Sequence, residues 1–325
     1  MNNFTNQTNS TWTCPEKDLF LQAEDRFLAS AVVYGLVLAV GLPLNTVSLW
    51  ILLRSHGLRS PCAVLMVNLA ASDMLLALSL PLRVYFYATL QWPFGVGTCT
   101  AAIMLFRVNI RTSGVFITLI SVDRLVALVF PLRSRSLRTA TSACKCCAVV
   151  WILVTTLSIP EIVKLHGSLN KCSVYTPCFE FQDQGSGSIA LPQALFLLLL
   201  LVINIVCTVV VIVALRKRPS AGAAKVNNKM NVILIFAVNM LVFTIFFLPF
   251  TLQLLAYTEK GEEDDGKGAK IRSLICLASV NCCLDPLIYY FSLDSFWQDK
   301  GKKQTDVGTF SLSRTMERSL LAEKS

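Results

Sequence analysis

Along this chain, long apolar stretches alternate with short polar ones at fairly regular intervals. Uncharged or nearly uncharged runs cover Phe27–Leu53, Ser60–Leu82, Thr112–Val122 with extensions on both sides, Cys146–Pro160, Gln184–Leu215, Met230–Thr258 and Ser273–Leu293. A bilayer core of about 30 Å is crossed by about 20 helical residues at ~1.5 Å each. Hydrocarbon offers no partner to an exposed peptide group, so each run must satisfy its backbone internally as a helix. The pattern predicts seven helices, over 28–53, 62–88, 97–129, 143–165, 189–215, 230–257 and 269–291. The expected fold class is an all-α membrane protein, a seven-transmembrane helix bundle over 28–291. It is flanked by a polar segment, 1–27, and by a tail, 292–325, expected to hold a short amphipathic helix and then disorder.

Composition supports the same class. The chain has 325 residues, 54% apolar and only 15% charged, with a mean hydropathy of +0.60. A soluble domain would carry about 25% charged residues. The net charge of +9 therefore fits cationic loops at a membrane better than nucleic-acid binding, and no nucleic-acid partner is expected.

The first 26 residues lack a positive start followed by an apolar core, so the first helix is expected to act as its own insertion signal. They also hold three sequons, at Asn3, Asn6 and Asn9, each with Thr two positions later. Three in nine residues read as a glycosylated extracellular segment. Charge gives an independent orientation. Residues 54–61, 130–145, 216–229 and 292–325 hold 17 Lys+Arg against 5 Asp+Glu; the opposite loops hold 8 against 12. The basic side is expected in the cytoplasm, which puts the N-terminus outside, the C-terminus inside, and seven crossings between them.

Of 12 cysteines most lie in helices as small apolar fillers. Cys144, Cys146 and Cys147 have no nearby histidine, which argues against a metal site. Cys14, Cys99, Cys172 and Cys178 fall outside, where disulfides persist. Cys99, at the top of the third helix, is expected to pair with Cys172 or Cys178, and Cys14 with the one left over; both arrangements stay open. The tail contains no cysteine, which excludes palmitoylation there.

Ionisable residues inside spans are costly and functional by default. Asp73 and Asp285 lie deep and, with Asn45, Ser113 and Asn281, form a set of oxygen ligands suited to a hard cation. Asp123 and Arg124 end the third helix on the inner side. Arg107 and Arg111, four apart, share one face of the third helix, roughly 12 and 18 Å below Cys99. Glu161 is their one evident local carboxylate. Unpaired buried cations are expensive, and an anion would offset that cost. Arg83 can reach the interface by snorkelling, and Lys164, Lys171, Lys270 and Arg272 extend the basic rim. Together they suggest an outward-opening pocket for phosphate or carboxylate.

The motifs resemble those of the rhodopsin-like (class A) G-protein-coupled receptors over residues 28 to about 298. They are GLPLN ending at Asn45, NLAASD ending at Asp73, Cys99, the DRL variant Asp123–Arg124–Leu125, Trp151, FTIFFLPF with Phe243, Phe247 and Pro249, and NCCLDPLIYY with Asp285, Pro286 and Tyr289. Each is short, but seven in order at matching spacing are specific. LSLPLRVYFY followed by QWPFG is similar to the purinergic-receptor-like cluster, and GLPLN, NLAASD and CFE are most similar to its lysophosphatidic acid receptors of the receptor 5 type.

The resemblance implies a plasma-membrane, multi-pass receptor, not an enzyme, that binds an extracellular anionic lipid, lysophosphatidic acid or a related lysophospholipid, and activates heterotrimeric G proteins. No cofactor is required, but an allosteric sodium ion at Asp73, Ser113, Asn281 and Asp285 is implied. Arg83 is implied in head-group binding, with Arg107, Arg111, Lys164 and Arg272 around it. Asp123, Arg124, Phe247, Pro249, Pro286 and Tyr289 would carry the switch toward the G protein, and the Ser/Thr-rich tail would meet arrestin. Departures are the absence of the central proline and following tyrosine of the fifth helix, Phe246 and Phe247 at the usual cysteine and tryptophan positions, and Lys229 where some receptors place an acidic partner for the helix 3 arginine.

The alternative reading is a receptor for a small carboxylate or other anionic metabolite, because acid-sensing relatives use a helix 3 arginine and KCSVYTPCFEFQ resembles theirs. Phe106 stands where an amine receptor needs Asp, and no lysine lies between Ile271 and Phe291 to serve an opsin. A transporter or channel is a distant alternative, without repeat symmetry or matched broken spans. An intramembrane enzyme has no histidine to use, since His56 and His166 are expected in loops.

Overall fold

The computed structural model describes residues 24–56, 58, 60–130, 138–171, 178–179, 187–217, 223–259 and 267–290. Asn3, Asn6, Asn9, Cys14, Cys172 and the tail 292–325 lie outside the described residues, as does the expected amphipathic helix within that tail. Among the described residues seven helices are long and apolar enough to cross a membrane. We number them α1 (Glu24–Ile51, continued by a π turn at Leu52–His56), α2 (Pro61–Thr89), α3 (Gly95–Val129), α4 (Ala140–Leu169) and α5 (Gly187–Arg216). α6 comprises Ala223–Val242, a π turn at Phe243–Phe247 and Leu248–Glu259. α7 comprises Lys267–Ser279 and, after a turn at residue 280, residues 281–290.

At α2 and α4 polar side-chain caps fix where the helix begins. Ser60 accepts from the Ala63 amide ahead of Pro61, which occupies a first-turn position where its missing N–H costs nothing. Thr139 caps α4 through the Ser142 amide, so α4 begins at Ala140 rather than 143. α4 also continues to Leu169, which places His166 in its last turn instead of a loop. α2 stops where Leu90 turns left-handed at φ 53 and its amide returns to the Phe86 carbonyl.

α3 is the axis of the bundle, packing against α2, α4, α5 and α6, while α1 bridges α2 and α7. Side chains facing lipid are mostly apolar, among them Leu36, Ile152, Leu157 and Leu199, as a hydrocarbon solvent favours, and the exposed polar ones include small threonines such as Thr155 and Thr156. Polar groups turn inward and join helices. Trp151 donates to Asn68 Oδ1 at 2.9 Å, tying α4 to α2. Asn45 Nδ2 donates to the Cys282 carbonyl at 2.8 Å, tying α1 to α7. Gly41 permits that approach, since a Cβ there would come within 3.1 Å of Cys282 Sγ.

Candidate functional site

Cys99 bonds to Cys178, which selects one of the two partners open from sequence. The disulfide brings the following residue, Phe179, over the ends of α2 and α3 in a left-handed conformation, φ 66. There its ring meets Phe86, Tyr87 and Trp92 at centroid separations of 5.5, 6.1 and 5.6 Å. Trp92 Nε1 donates to the Gly95 carbonyl at 2.8 Å, and Gly95 at φ 79 supplies the conformation that this turn requires.

Beneath this aromatic cap lies Arg83, only 3% exposed. It does not snorkel: Leu80, Phe86 and Tyr87 around it on α2 are buried as well. Its guanidinium carbon sits 4.4 Å from the Phe179 ring centroid, 4.7 Å from Phe106 and 5.4 Å from Tyr34. Ring faces are negative and stabilise a desolvated cation by up to about 2 kcal/mol, but they accept no strong hydrogen bond in the guanidinium plane. Arg83 Nε has no hydrogen-bond partner, and Arg83 forms no ion pair, among the described residues. A buried planar fork with open donors is suited to an oxyanion.

Arg107 and Arg111 are handled differently. Both converge on Glu161 of α4, Arg107 Nη1 on Oε1 and Arg111 Nη2 on Oε2, the latter at 2.6 Å. Arg111 also donates to Ser158 Oγ at 2.9 Å and to Gln193 Oε1 on α5 at 3.1 Å. Its fork is occupied. Arg107 has one bond among the described residues, and its side chain is 32% exposed. Two cations thus share one carboxylate, leaving a unit of positive charge there in addition to that of Arg83. Lys164 lies one turn beyond Glu161, half-buried, and Arg272 of α7 stacks 4.0 Å over the Phe27 ring.

Deeper in the bundle, Asp73, Ser113, Asn281 and Asp285 are all buried. Asn109, not singled out from sequence, joins them: its amide donates to Asp73 Oδ1 at 3.1 Å, Ser72 Oγ at 3.1 Å and Ser113 Oγ at 3.2 Å. Ser113 also donates to Asp73, at 3.4 Å. Asp73 Oδ2, both Asp285 oxygens, both Asn281 polar atoms and the Tyr289 hydroxyl have no hydrogen-bond partner among the described residues. Buried oxygens left without partners in a low-dielectric interior suit a hard monovalent cation.

At the far end, Asp123 takes both forks of Arg138, Nε and Nη2, at 2.7 Å each, while Arg124 lies against Cys62 of α2. One turn inward from Arg124, four buried side chains on three helices bond in series. Asn239 (α6) donates to Ser121 (α3) at 2.7 Å, Ser121 to Asn204 Oδ1 (α5) at 2.7 Å, and Asn204 Nδ2 to Thr118 (α3) at 2.7 Å. The signal for this chain of bonds was present in LVINIV and FAVNML, amides inside otherwise apolar spans. Charge alone draws attention to Asp and Arg and passes over neutral Asn. Above it, Pro249 has no N–H for a helical bond, and the chain absorbs this by a π turn: the Leu248 amide bonds to the Phe243 carbonyl, five residues back. Phe243 and Phe247 meet there with ring centroids 5.2 Å apart and planes tilted by 53°, and Phe243 reaches Gly114 of α3.

A family model described as 7 transmembrane receptor (rhodopsin family) matches residues 44–289. The chain is 38% identical to the lysophosphatidic acid receptor 5 of Bos taurus over 283 residues, covering 82% of this chain and 76% of that protein. It is 34% identical to the human lysophosphatidic acid receptor 4 over 296 residues, covering 87% and 78%. It is 31% identical to a human S-geranylgeranyl-glutathione receptor over 281 residues, covering 83% and 77%.

Proposed function

This chain belongs to the rhodopsin family of seven-transmembrane receptors, and on that premise we propose that it binds an extracellular lysophospholipid, lysophosphatidic acid by preference. It is a multi-pass protein of the plasma membrane. The single observation that carries the ligand reading is Arg83, a buried guanidinium walled by Tyr34, Phe106 and Phe179 and with an open Nε. The phosphate takes that fork. Arg107, held by one bond and still one-third exposed, turns from Glu161 toward the same anion, and Lys164 and Arg272 contribute to the rim. The acyl chain lies along the apolar faces of the neighbouring helices. The relatives above are named as receptors for lysophosphatidic acid or a prenylated glutathione, which supports an anionic head joined to a long apolar tail. Arg111, already bonded to Glu161, Ser158 and Gln193, positions Glu161, and its filled valences count against a small carboxylate seated on it.

Positive-inside charge and the sequons support a cytoplasmic side at Arg124 and an extracellular side at the disulfide. Binding favours a state in which the inner half of α6 swings outward at the π turn and Pro249, opening a crevice where Arg124, Pro286 and Tyr289 meet a heterotrimeric G protein. This is a shift between two populations, not catalysis. Arrestin engages the Ser/Thr-rich tail. Asp73, Ser113, Asn281 and Asp285, with Asn109, would hold a sodium ion that offsets their charge in the resting state.

G-protein activation by lysophosphatidic acids of graded chain length tests the reading. Losing one charge-assisted contact costs about 2 kcal/mol, or roughly 30-fold, so Arg83→Ala raises the half-maximal concentration by about that factor at equal surface density. A wild-type receptor silent to every lipid but answering a short carboxylate overturns it.

A further inference from the structure

The three cysteines at the start of α4 are unexplained by the function above. They occupy different faces: Cys144 is exposed, Cys146 half-buried and Cys147 buried. Residues four apart share a helical face, and Cys144 leads a stripe that continues through Ala148, also exposed, to Ile152, 64% exposed. That stripe faces hydrocarbon, flanked by exposed Val149 and Leu153. α4 has 30 residues, so it spans about 45 Å against a core of about 30 Å and projects roughly 7 Å at each end if centred. Cys144 stands four residues in from Ala140, about 6 Å along the helix, and therefore at the boundary between head groups and acyl chains. Exposed Lys145 follows it, and Arg133, Arg135 and Arg138 precede it in the chain. The charge draws this end onto an anionic leaflet.

We infer that Cys144 is a site of reversible S-acylation by a long-chain fatty acid, with Cys146 as a secondary acceptor. The inference rests on the cytoplasmic placement of the Arg124 end. The Cys144 sulfur attacks the carbonyl carbon of a long-chain acyl-coenzyme A. A new C–S bond forms as the C–S bond to coenzyme A breaks, and the thiol proton leaves with coenzyme A. No oxidant or reductant is needed. The attached chain lies over Ala148, whose small side chain leaves room, and along Ile152 into the bilayer. This supplies near Asp123 and Arg138 the second membrane anchor that juxtamembrane cysteines provide and that the cysteine-free tail cannot.

The test uses the full receptor from animal cells: free thiols are blocked, thioesters are cleaved with hydroxylamine, and the released thiols take a polyethylene-glycol maleimide mass tag. Wild type is expected to show a hydroxylamine-dependent shift, Cys144→Ala to lose the principal tagged band, and Cys144→Ala with Cys146→Ala to lose all of it. No hydroxylamine-dependent tag in wild type, or an unchanged tag in the double variant, overturns the inference. Glycosidase sensitivity of the Asn3, Asn6 and Asn9 sequons, read on the same sample, reports orientation separately. A glycosylated, untagged receptor refutes acylation and leaves the topology standing; an unglycosylated, untagged one removes both.

Discussion

Asn239→Ala is the perturbation that most directly tests how α6 is held. Asn239 is buried and donates at 2.7 Å to Ser121, which is bonded in turn to Asn204. An outward swing of inner α6 carries Asn239 away from α3 and breaks that bond, while Ser121, Asn204 and Thr118 keep theirs. A net hydrogen bond contributes about 1 kcal/mol, and measured intramembrane bonds average about 0.6 kcal/mol. Removing the bond from the resting state alone raises the ratio of open to closed receptor about three- to fivefold. Ligand-free G-protein activation, normalised to surface density, should rise by that factor while the open state is rare. The half-maximal concentration of any agonist should fall in step, because both report one equilibrium. Ser121→Ala removes the same link to Asn239 and, because the Ser121–Asn204 bond is kept in both states, should raise basal signalling by about the same factor. Basal activity at the wild-type level in Asn239→Ala, or below it, would refute the reasoning and show that the bond serves both states equally.

Three further outcomes follow from the same geometry. Glu161→Gln leaves Arg107 and Arg111 without their carboxylate; breaking a buried pair costs about 3–5 kcal/mol, toward the low end here because Arg107 keeps some exposure. The melting temperature of the purified receptor should fall by several degrees, and an unchanged value would mean that water already solvates the arginines. Cys178→Ser opens a loop between residues 79 apart, a change of about 4–5 kcal/mol by chain entropy, and also releases Phe179 from Arg83; surface expression and agonist potency should drop together. Asp73→Asn should abolish any difference in agonist affinity between sodium chloride and choline chloride that wild type shows, and a surviving difference would move the cation elsewhere.

Much of the architecture was legible along the chain. Seven apolar runs imply the seven helices found, because hydrocarbon allows no other backbone and scarcely any charge; the sequons and loop charges add an expected direction of threading. Helix ends were blurred where a cap or a continuing turn carried the helix past the apolar run, as at Thr139 and beyond Leu165 toward Leu169. Asp73 and Asp285 stood out because a carboxylate in a span is rare, and the structure brings them into one polar centre with Ser113 and Asn109. Arg107 and Arg111 stood out likewise, with Glu161 as their local carboxylate, but that both bind it and that Ser158 and Gln193 complete the fork of Arg111 did not. Asn204, Asn239 and Arg138 passed unmarked, since an uncharged amide in a span is unremarkable until its partner is known and a loop arginine is ordinarily solvated.

The sequence by itself therefore determined how many helices cross, which faces are apolar and which rare charges must find partners. Only the tertiary structure decided who those partners are. It chose Cys178 for Cys99, enclosed Arg83 in three rings instead of letting it reach water, filled the fork of Arg111 and left that of Arg83 open. The reason is geometric. Span length and polarity are properties of one segment in its solvent, read residue by residue. A hydrogen bond or a cation over a ring depends on the relative rotation and depth of two or three helices, to within an ångström, and that setting is a joint property of every packed face in the bundle.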